Sequence, residues 1–244
     1  MRIDKLLSEL KFGSRNDIKK MVKAKQVMVN NEIIKDSSLH VNPNMDEICV
    51  NGERINYQEH VYFMMNKPNG YLSATTDQLH KTVIDLLEPN DKIHDVFLCG
   101  RLDIDTEGLL ILSNDGQFAH RLLHPKKEIY KTYYVEVDAP IKDQDVELFL
   151  NGMEILDGQN ALYKTRKAYL EVSDSSDMHA YVSICEGKFH QIKRMFQHCD
   201  KRVIYLKRIS MGKLKLDETL ALGEYRALTE TEQIALLENP PQYK

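Results

Sequence analysis

Residues 99–116 read CGRLDIDTEGLLILSNDG, a stretch in which Arg101 and the acids Asp103, Asp105 and Glu107 stand directly before the apolar run 109–112. Three readings compete for it. Asp103, Asp105 and Gly108 copy the front of a D-x-D-x-x-G calcium loop, but such a loop needs a bidentate Glu at its twelfth position, and Asn114 stands there. No metal site is expected. Alternatively, an Asp before Thr-Glu-Gly shapes a turn by bonding its own backbone. The third reading is chemical: an acid at the edge of a buried strand is held rigidly, which suits a nucleophile. Gly100, where the backbone can pass closely, and Arg101, which offers a fork for phosphate, add weight to it.

The chain around this stretch has 244 residues, 42% hydrophobic and 29% charged, which fits one large domain or an ordinary one with a small companion. No apolar run exceeds residues 61–65, so no membrane span or membrane partner is expected. The start, MRIDKLLSELK, interrupts its apolar positions with charges and is not read as a signal peptide. Cys49, Cys99, Cys185 and Cys199 lie far apart without C-x-x-C spacing, which points to reduced thiols and a cytoplasmic protein. The net charge is −4, yet the bases cluster. Residues 11–25 carry six Lys or Arg against Asp17 alone, and residues 186–216 carry nine against two acids. Two dense clusters on an acidic chain point to a polyanionic partner.

Residues 1–58 read as a small unit. Ile3, Leu6, Leu7 and Leu10 have helical spacing, and Gly13 stops that helix. Ser14 is the expected N-cap of a second helix with Ile18, Met21 and Val22 inward. QVMVN, EII and DEICVNGERI follow as strand-like pieces, with Asn30-Asn31 as a hairpin turn. Residues 59–244 alternate strands (KTYYVEV, ALYKTRKAYLEV, HAYVSICEG) with helices (DGQFAHRLLH, QDVELFLNG, HQIKRMFQHC), and close on a helix opened by a Thr229/Glu232 capping box. The expected class is α+β: a helix-helix-hairpin domain, then a mixed, largely antiparallel sheet with flanking helices.

RIDKLL, SRNDIKKMVKAKQVMVN and the strand pair after them resemble the S4-type RNA-binding domain, also called the αL motif. That resemblance implies that the second helix lays Ser14, Arg15, Lys19, Lys20 and Lys23 on folded RNA, with Arg2 close by. The family usually has Gly where Lys25 and Asn31 stand, so both are expected at positive φ at a cost of about 1 kcal/mol each.

GRLDIDTEGLLILSNDG, preceded by YFMMNKPNGYLSATTD and followed by EGKFHQIKRMF, resembles the bacterial pseudouridine synthases of ribosomal RNA, and among them the small-subunit (16S) branch. The resemblance covers nearly the whole chain and implies the pseudouridine synthase fold, with no cofactor. By it, Asp103 is the catalytic acid, Tyr133 lies against the target base and Lys193 pairs with Asp103. Arg101 would hold a phosphate or fill the space left by the flipped base, and Arg194 would contact RNA. Asp105 is expected to matter far less than Asp103. Residues 67–70, KPNG, are expected to form a turn supporting the site. His190 and His198 have no partner spacing for a metal.

Each residue also has a plainer reading: Tyr133 as a packed sheet residue, and Lys193 and Arg194 as a solvated helix face. Their joint occurrence favours the chemical one. The expected partner is small-subunit rRNA or its assembly intermediate, engaged by a monomer. One alternative is a large-subunit (23S) substrate, although related enzymes of that kind tend to have Asn-Arg where Phe189-His190 stands. The other is a non-catalytic RNA-binding ribosome-assembly factor, against which the intact Asp103 and Lys193 speak.

Overall fold

The computed structural model describes residues 1–241 apart from 44, 56, 93, 157 and 160. It divides into two units, one of residues 1–61 with 88–95, the other of residues 62–87 with 96–244. A boundary at 58/59 would leave residues 88–95 with the second unit. In the structure they belong to the first, where Lys11 Nζ lies 2.9 Å from Asp95 Oδ2.

In the first unit, helix α1 (Ile3–Glu9) buries Ile3, Leu6 and Leu7. Helix α2 (Arg15–Lys23) turns Ile18 and Val22 to the same core and leaves Arg15, Lys19, Lys20 and Lys23 exposed. Its start is a complete capping box: Ser14 Oγ accepts from the Asp17 N–H, and Asp17 accepts from the Ser14 N–H. Four short strands, β1 (Val27–Val29), β2 (Glu32–Ile33), β3 (Ile48–Val50) and β4 (Glu53–Arg54), form a sheet in the order β2-β1-β3-β4. Lys25, Asn30 and Asn31 stand at φ of 59°, 51° and 67°. DEICVNGERI is not one strand, because Asn51 and Gly52, at φ 54° and 84°, turn the chain between β3 and β4. Asn-Gly is the strongest short hairpin signal, since both central residues of a type I′ turn need positive φ. A single helical turn, α3 (Pro89–Lys92), completes the unit.

The second unit is built on one sheet of nine strands. They are β5 (Tyr62–Lys67), β6 (Phe97–Leu98), β7 (Glu107–Ser113), β8 (Lys131–Val137), β11 (Tyr169–Ser173), β12 (Ser176–Ile184), β13 (Val203–Met211), β14 (Leu214–Lys215) and β15 (Tyr225–Ala227). β9 (Glu154–Leu156) and β10 (Leu162–Lys164) form a separate hairpin, so ALYKTRKAYLEV is two strands. The main order is β11-β12-β8-β13-β7-β5-β15, antiparallel throughout except where β13 runs parallel to β7. The sheet is mixed and largely antiparallel, and the class is α+β.

Helices α5 (Asp143–Asn151) and α6 (Gln191–His198) pack Phe149, Met195 and Phe196 against Val135, Ala180, Val182 and Leu206. Phe149 and Phe196 meet at 5.0 Å between ring centroids. Truncating either to Ala costs about 3–5 kcal/mol. Helices α4 (Gly116–Leu123) and α7 (Glu230–Leu236) cover a second cluster around Met64, Leu109 and Ile111. The expected capping box at Thr229 and Glu232 is formed. The basic residues of 186–216 do not make one surface. Arg208 is 1% exposed and donates from Nε to the Leu109 carbonyl, while Lys201 is buried against Asp145 at 2.7 Å. Among the described residues no helix is long and apolar enough to cross a membrane.

Candidate active site

The opening stretch folds as loop, strand and helix cap in succession. β7 is buried along nearly its whole length, flanked by β5 on one side and β13 on the other. Gly108 makes that pairing possible: its φ is +100°, and a Cβ there would lie 2.2 Å from the Arg208 carbonyl oxygen. At the far end Asp115 caps α4 through the Gln117 and Phe118 amides and accepts a hydrogen bond from Tyr62. Burial and this carboxylate push the Tyr62 phenol up to about 12.

Asp103 sits in the loop before β7, and the backbone on both flanks is tied down. On one side Ser73 Oγ donates to the Leu102 carbonyl at 2.7 Å and accepts from the Leu102 N–H at 3.1 Å. On the other, the Gly70 N–H donates to Ile104 O at 2.8 Å. Lys67, wholly buried at the end of β5, donates to the carbonyls of Pro68, Ile104 and Thr106 at 3.0, 3.2 and 2.9 Å. Desolvation lowers its pKa to about 8, against the pull of Asp105, Glu107 and Asp103. The expected support from residues 67–70 is therefore an ammonium and an amide fastened to the loop. This is the rigid platform that a nucleophilic acid requires.

The side chains converge from three elements. Arg101, Leu102 and Asp103 from the loop, Tyr133 from β8, and His190 and Lys193 at the start of α6 line one small cleft. Lys193 Nζ lies 3.4 Å from Asp103 Oδ2, and His190 Nε2 lies 3.7 Å from Oδ1. Lys193 is closer still to Asp105, at 2.6 and 2.8 Å from its two carboxylate oxygens. Burial opposes the Asp105 charge, but the Lys193 contact prevails and holds its pKa below the ordinary aspartate value. Tyr133 is 7% exposed and shares the core cluster with Leu102 and Leu206. The packed and cleft-lining readings of this residue thus describe the same ring.

Three features were not foreseen: the Ser73 clamp, the contact of Lys193 to Asp105, and His190 beside Asp103. Ser73 has no sequence signal beyond its place in YLSATTD. Lys193 is drawn to Asp105, two residues beyond the acid it was expected to pair with. His190 reaches Asp103 from the N-cap position of α6, one turn ahead of Lys193. His190 opens α6 at φ 52° with its ring stacked on Phe189 at 3.8 Å. Gln191 fixes that corner by donating to Glu186 and accepting from the Lys188 N–H.

The expected RNA contacts fall in varied settings. Arg101 is exposed at the cleft, and Arg194 binds the Leu156 carbonyl with its guanidinium 5.2 Å from the Phe189 ring. Arg2 makes a two-pronged ion pair with buried Asp4, and Lys20 pairs with Asp17. Ser14 is occupied as the helix cap, whereas Arg15, Lys19 and Lys23 present their side chains to solvent.

The profile of the RNA pseudouridylate synthase family matches residues 61–198, and that of the S4 domain matches residues 1–48. An uncharacterized RNA pseudouridine synthase of Bacillus subtilis is 48% identical over 98% of this chain and 99% of its own length. The ribosomal small subunit pseudouridine synthase A of Escherichia coli is 37% identical, over 95% of this chain and 98% of its own. A crystal structure of a pseudouridylate synthase shares the fold at a TM-score of 0.66 and 34% identity, covering 97% of this chain and 99% of that one. An acid on a clamped loop, an RNA-binding module ahead of it and these full-length likenesses agree: the chain belongs to the RNA pseudouridylate synthase family.

Proposed function

We propose that the enzyme isomerises one uridine of small-subunit (16S) ribosomal RNA, with Asp103 as the acting carboxylate. The reaction breaks the C1′–N1 bond, turns the freed uracil and joins C1′ to C5; N1 gains a proton and C5 releases one. An ionised Asp103 serves each route to that outcome: attack on C1′, addition to the ring, or removal of a sugar proton. A carboxylate that forms a covalent intermediate divides a hard step into two. Lys193 and, when protonated, His190 set positive charge beside the Asp103 carboxylate.

The uridine must leave its stack, at a cost of a few kcal/mol. Tyr133 offers an aromatic face that returns ~1–3 kcal/mol of it. Arg101 at the cleft holds a phosphate or takes the place the base vacates. Arg15, Lys19 and Lys23 on α2 supply the free cations for RNA capture, and Arg194 adds a contact beside the cleft. Arg2, Ser14 and Lys20 act mainly by shaping the module, because their polar groups are already engaged. The enzyme is proposed to act as a monomer.

The observation that carries this reading is the placement of Asp103, clamped on both flanks and facing Tyr133 and Lys193 across one cleft. The small-subunit substrate rests on the similarity to the E. coli enzyme named for it. Tritium release from transcripts labelled at uracil C5 tests both claims. Release is expected from the small-subunit transcript and none from the large-subunit one; the reverse pattern would overturn the substrate assignment.

A further inference from the structure

The loop before β7 carries two carboxylates, and one ammonium serves both. Lys193 Nζ makes two short contacts to Asp105 and only a long one, 3.4 Å, to Asp103. The two acids cannot rearrange freely around that nitrogen. Lys67 and Gly70 hold the Ile104 carbonyl between them, and Ser73 holds Leu102. Asp105 stands at the outer edge, its side chain 58% exposed, against 27% for Asp103 and 24% for Lys193.

We propose that Asp105 is a positioning residue that holds the Lys193 ammonium beside Asp103 rather than on it. The inference rests on Asp103 being the acting carboxylate. Lys193 then sets its positive charge beside Asp103 while leaving the carboxylate's lone pairs open to the nucleoside. Without Asp105, the ammonium is free to close to the short distances of a charge-assisted hydrogen bond. Loss of the neighbouring negative charge acts in the same direction, and both make Asp103 less basic. A less basic carboxylate with an occupied lone pair is a weaker nucleophile. The other groups facing Asp103 are unchanged by this step: His190 at the start of α6, Lys67 from β5, Tyr133 from β8 and Arg101 from the loop.

The test uses the full chain with Asp105→Asn, Asp105→Glu and Lys193→Gln. The Asp103 carboxyl is followed by carbon NMR with ¹³C-labelled aspartate, its signal assigned by loss in Asp103→Asn. In Asp105→Asn the Asp103 midpoint is expected to fall. The single-turnover rate on saturating small-subunit transcript is expected to fall about tenfold with an unchanged half-saturation point. Asp105→Glu should recover most of both. In a Lys193→Gln background, Asp105→Asn should lower the rate little further, since the two act through one contact. A rate loss with the Asp103 midpoint unmoved would overturn the proposal and leave Asp105 as a loop residue, as would additive losses in the double variant. Parent-like turnover by Asp103→Asn would instead remove the reading on which the proposal rests, so the two failures are distinguishable.

Discussion

Ser73 grips Leu102 on both sides of its Cα, donating to its carbonyl at 2.7 Å and accepting from its N–H at 3.1 Å. The next residue is Asp103, so the hydroxyl fixes the backbone from which the proposed acting carboxylate projects. Ser73 is 2% exposed.

Ser73→Ala should therefore leave two buried backbone groups unpaired, costing about 1–3 kcal/mol of stability. Its larger effect should fall on the chemistry. A displacement of about 1 Å at a reacting group costs on the order of 10²-fold in rate. Single-turnover kinetics should show a slower step at saturating RNA and an unchanged half-saturation point. Equal loss in both quantities would assign Ser73 to RNA binding instead.

Asp103→Asn keeps the shape of the side chain and removes its charge. It should fold and bind RNA like the parent while tritium release falls by on the order of 10³-fold or more. The comparison requires matched melting curves, so that lost activity is not lost fold.

Lys67 supplies a prediction in pH. Its pKa is about 8 in the folded protein and 10.5 as a free side chain, so between these values the unfolded chain binds more protons. Stability from this group rises with pH through that window, and below pH 8 the cost of burying the charge is fully present. Lys67→Met loses the three carbonyl contacts and this pH dependence together. The stability gap between parent and variant should widen by about 2 kcal/mol from pH 7 to pH 9.5. Urea unfolding at the two values measures it, and a constant gap would mean that Lys67 titrates normally.

Much of this architecture could be read from local pattern. Spacing of Ile3, Leu6 and Leu7 gave α1, Ser14 marked the start of α2, and KTYYVEV is β8 residue for residue. These features depend on neighbours in sequence. The features that escaped depend on neighbours in space. Nothing near Ser73 announces Leu102, 29 residues on, and nothing in HQIK says that Lys193 will meet Asp105 before Asp103. The strand pattern of VIYLKRISM likewise hides that Arg208 is buried while Lys207, next to it, lines the opposite side of the sheet. The error at DEICVNGERI was of another kind. Its Asn-Gly signal was present, and the apolar run around it outweighed a turn that needed only two residues.

The free cations of α2 carry the last prediction. Arg15, Lys19 and Lys23 point to solvent from a helix whose opposite face is anchored by Ile18 and Val22, and Asp17 is tied to Ser14 and Lys20. These hydrogen bonds, with the Lys20 charge, hold the Asp17 carboxyl down at about 2, so the capping box stays formed until strongly acid pH. Replacing Arg15, Lys19 and Lys23 together by Ala should leave the helix intact, because Ala is the best helix former and the cap is untouched. Cations that neutralise phosphates contribute sequence-independent affinity that weakens with salt. Loss of three should reduce the slope of log affinity against log salt by about 2–3 and raise the half-saturation point most at low salt. The single-turnover rate at saturation should stay within about twofold of the parent, because none of the three lines the Asp103 cleft. Ser14→Ala makes the contrasting change, weakening the cap by about 1 kcal/mol while leaving all three cations in place. It should lower the melting temperature and barely alter the salt slope. A triple variant that binds the small-subunit transcript with parent affinity at every salt concentration would return these charges to the role of a solvated helix face.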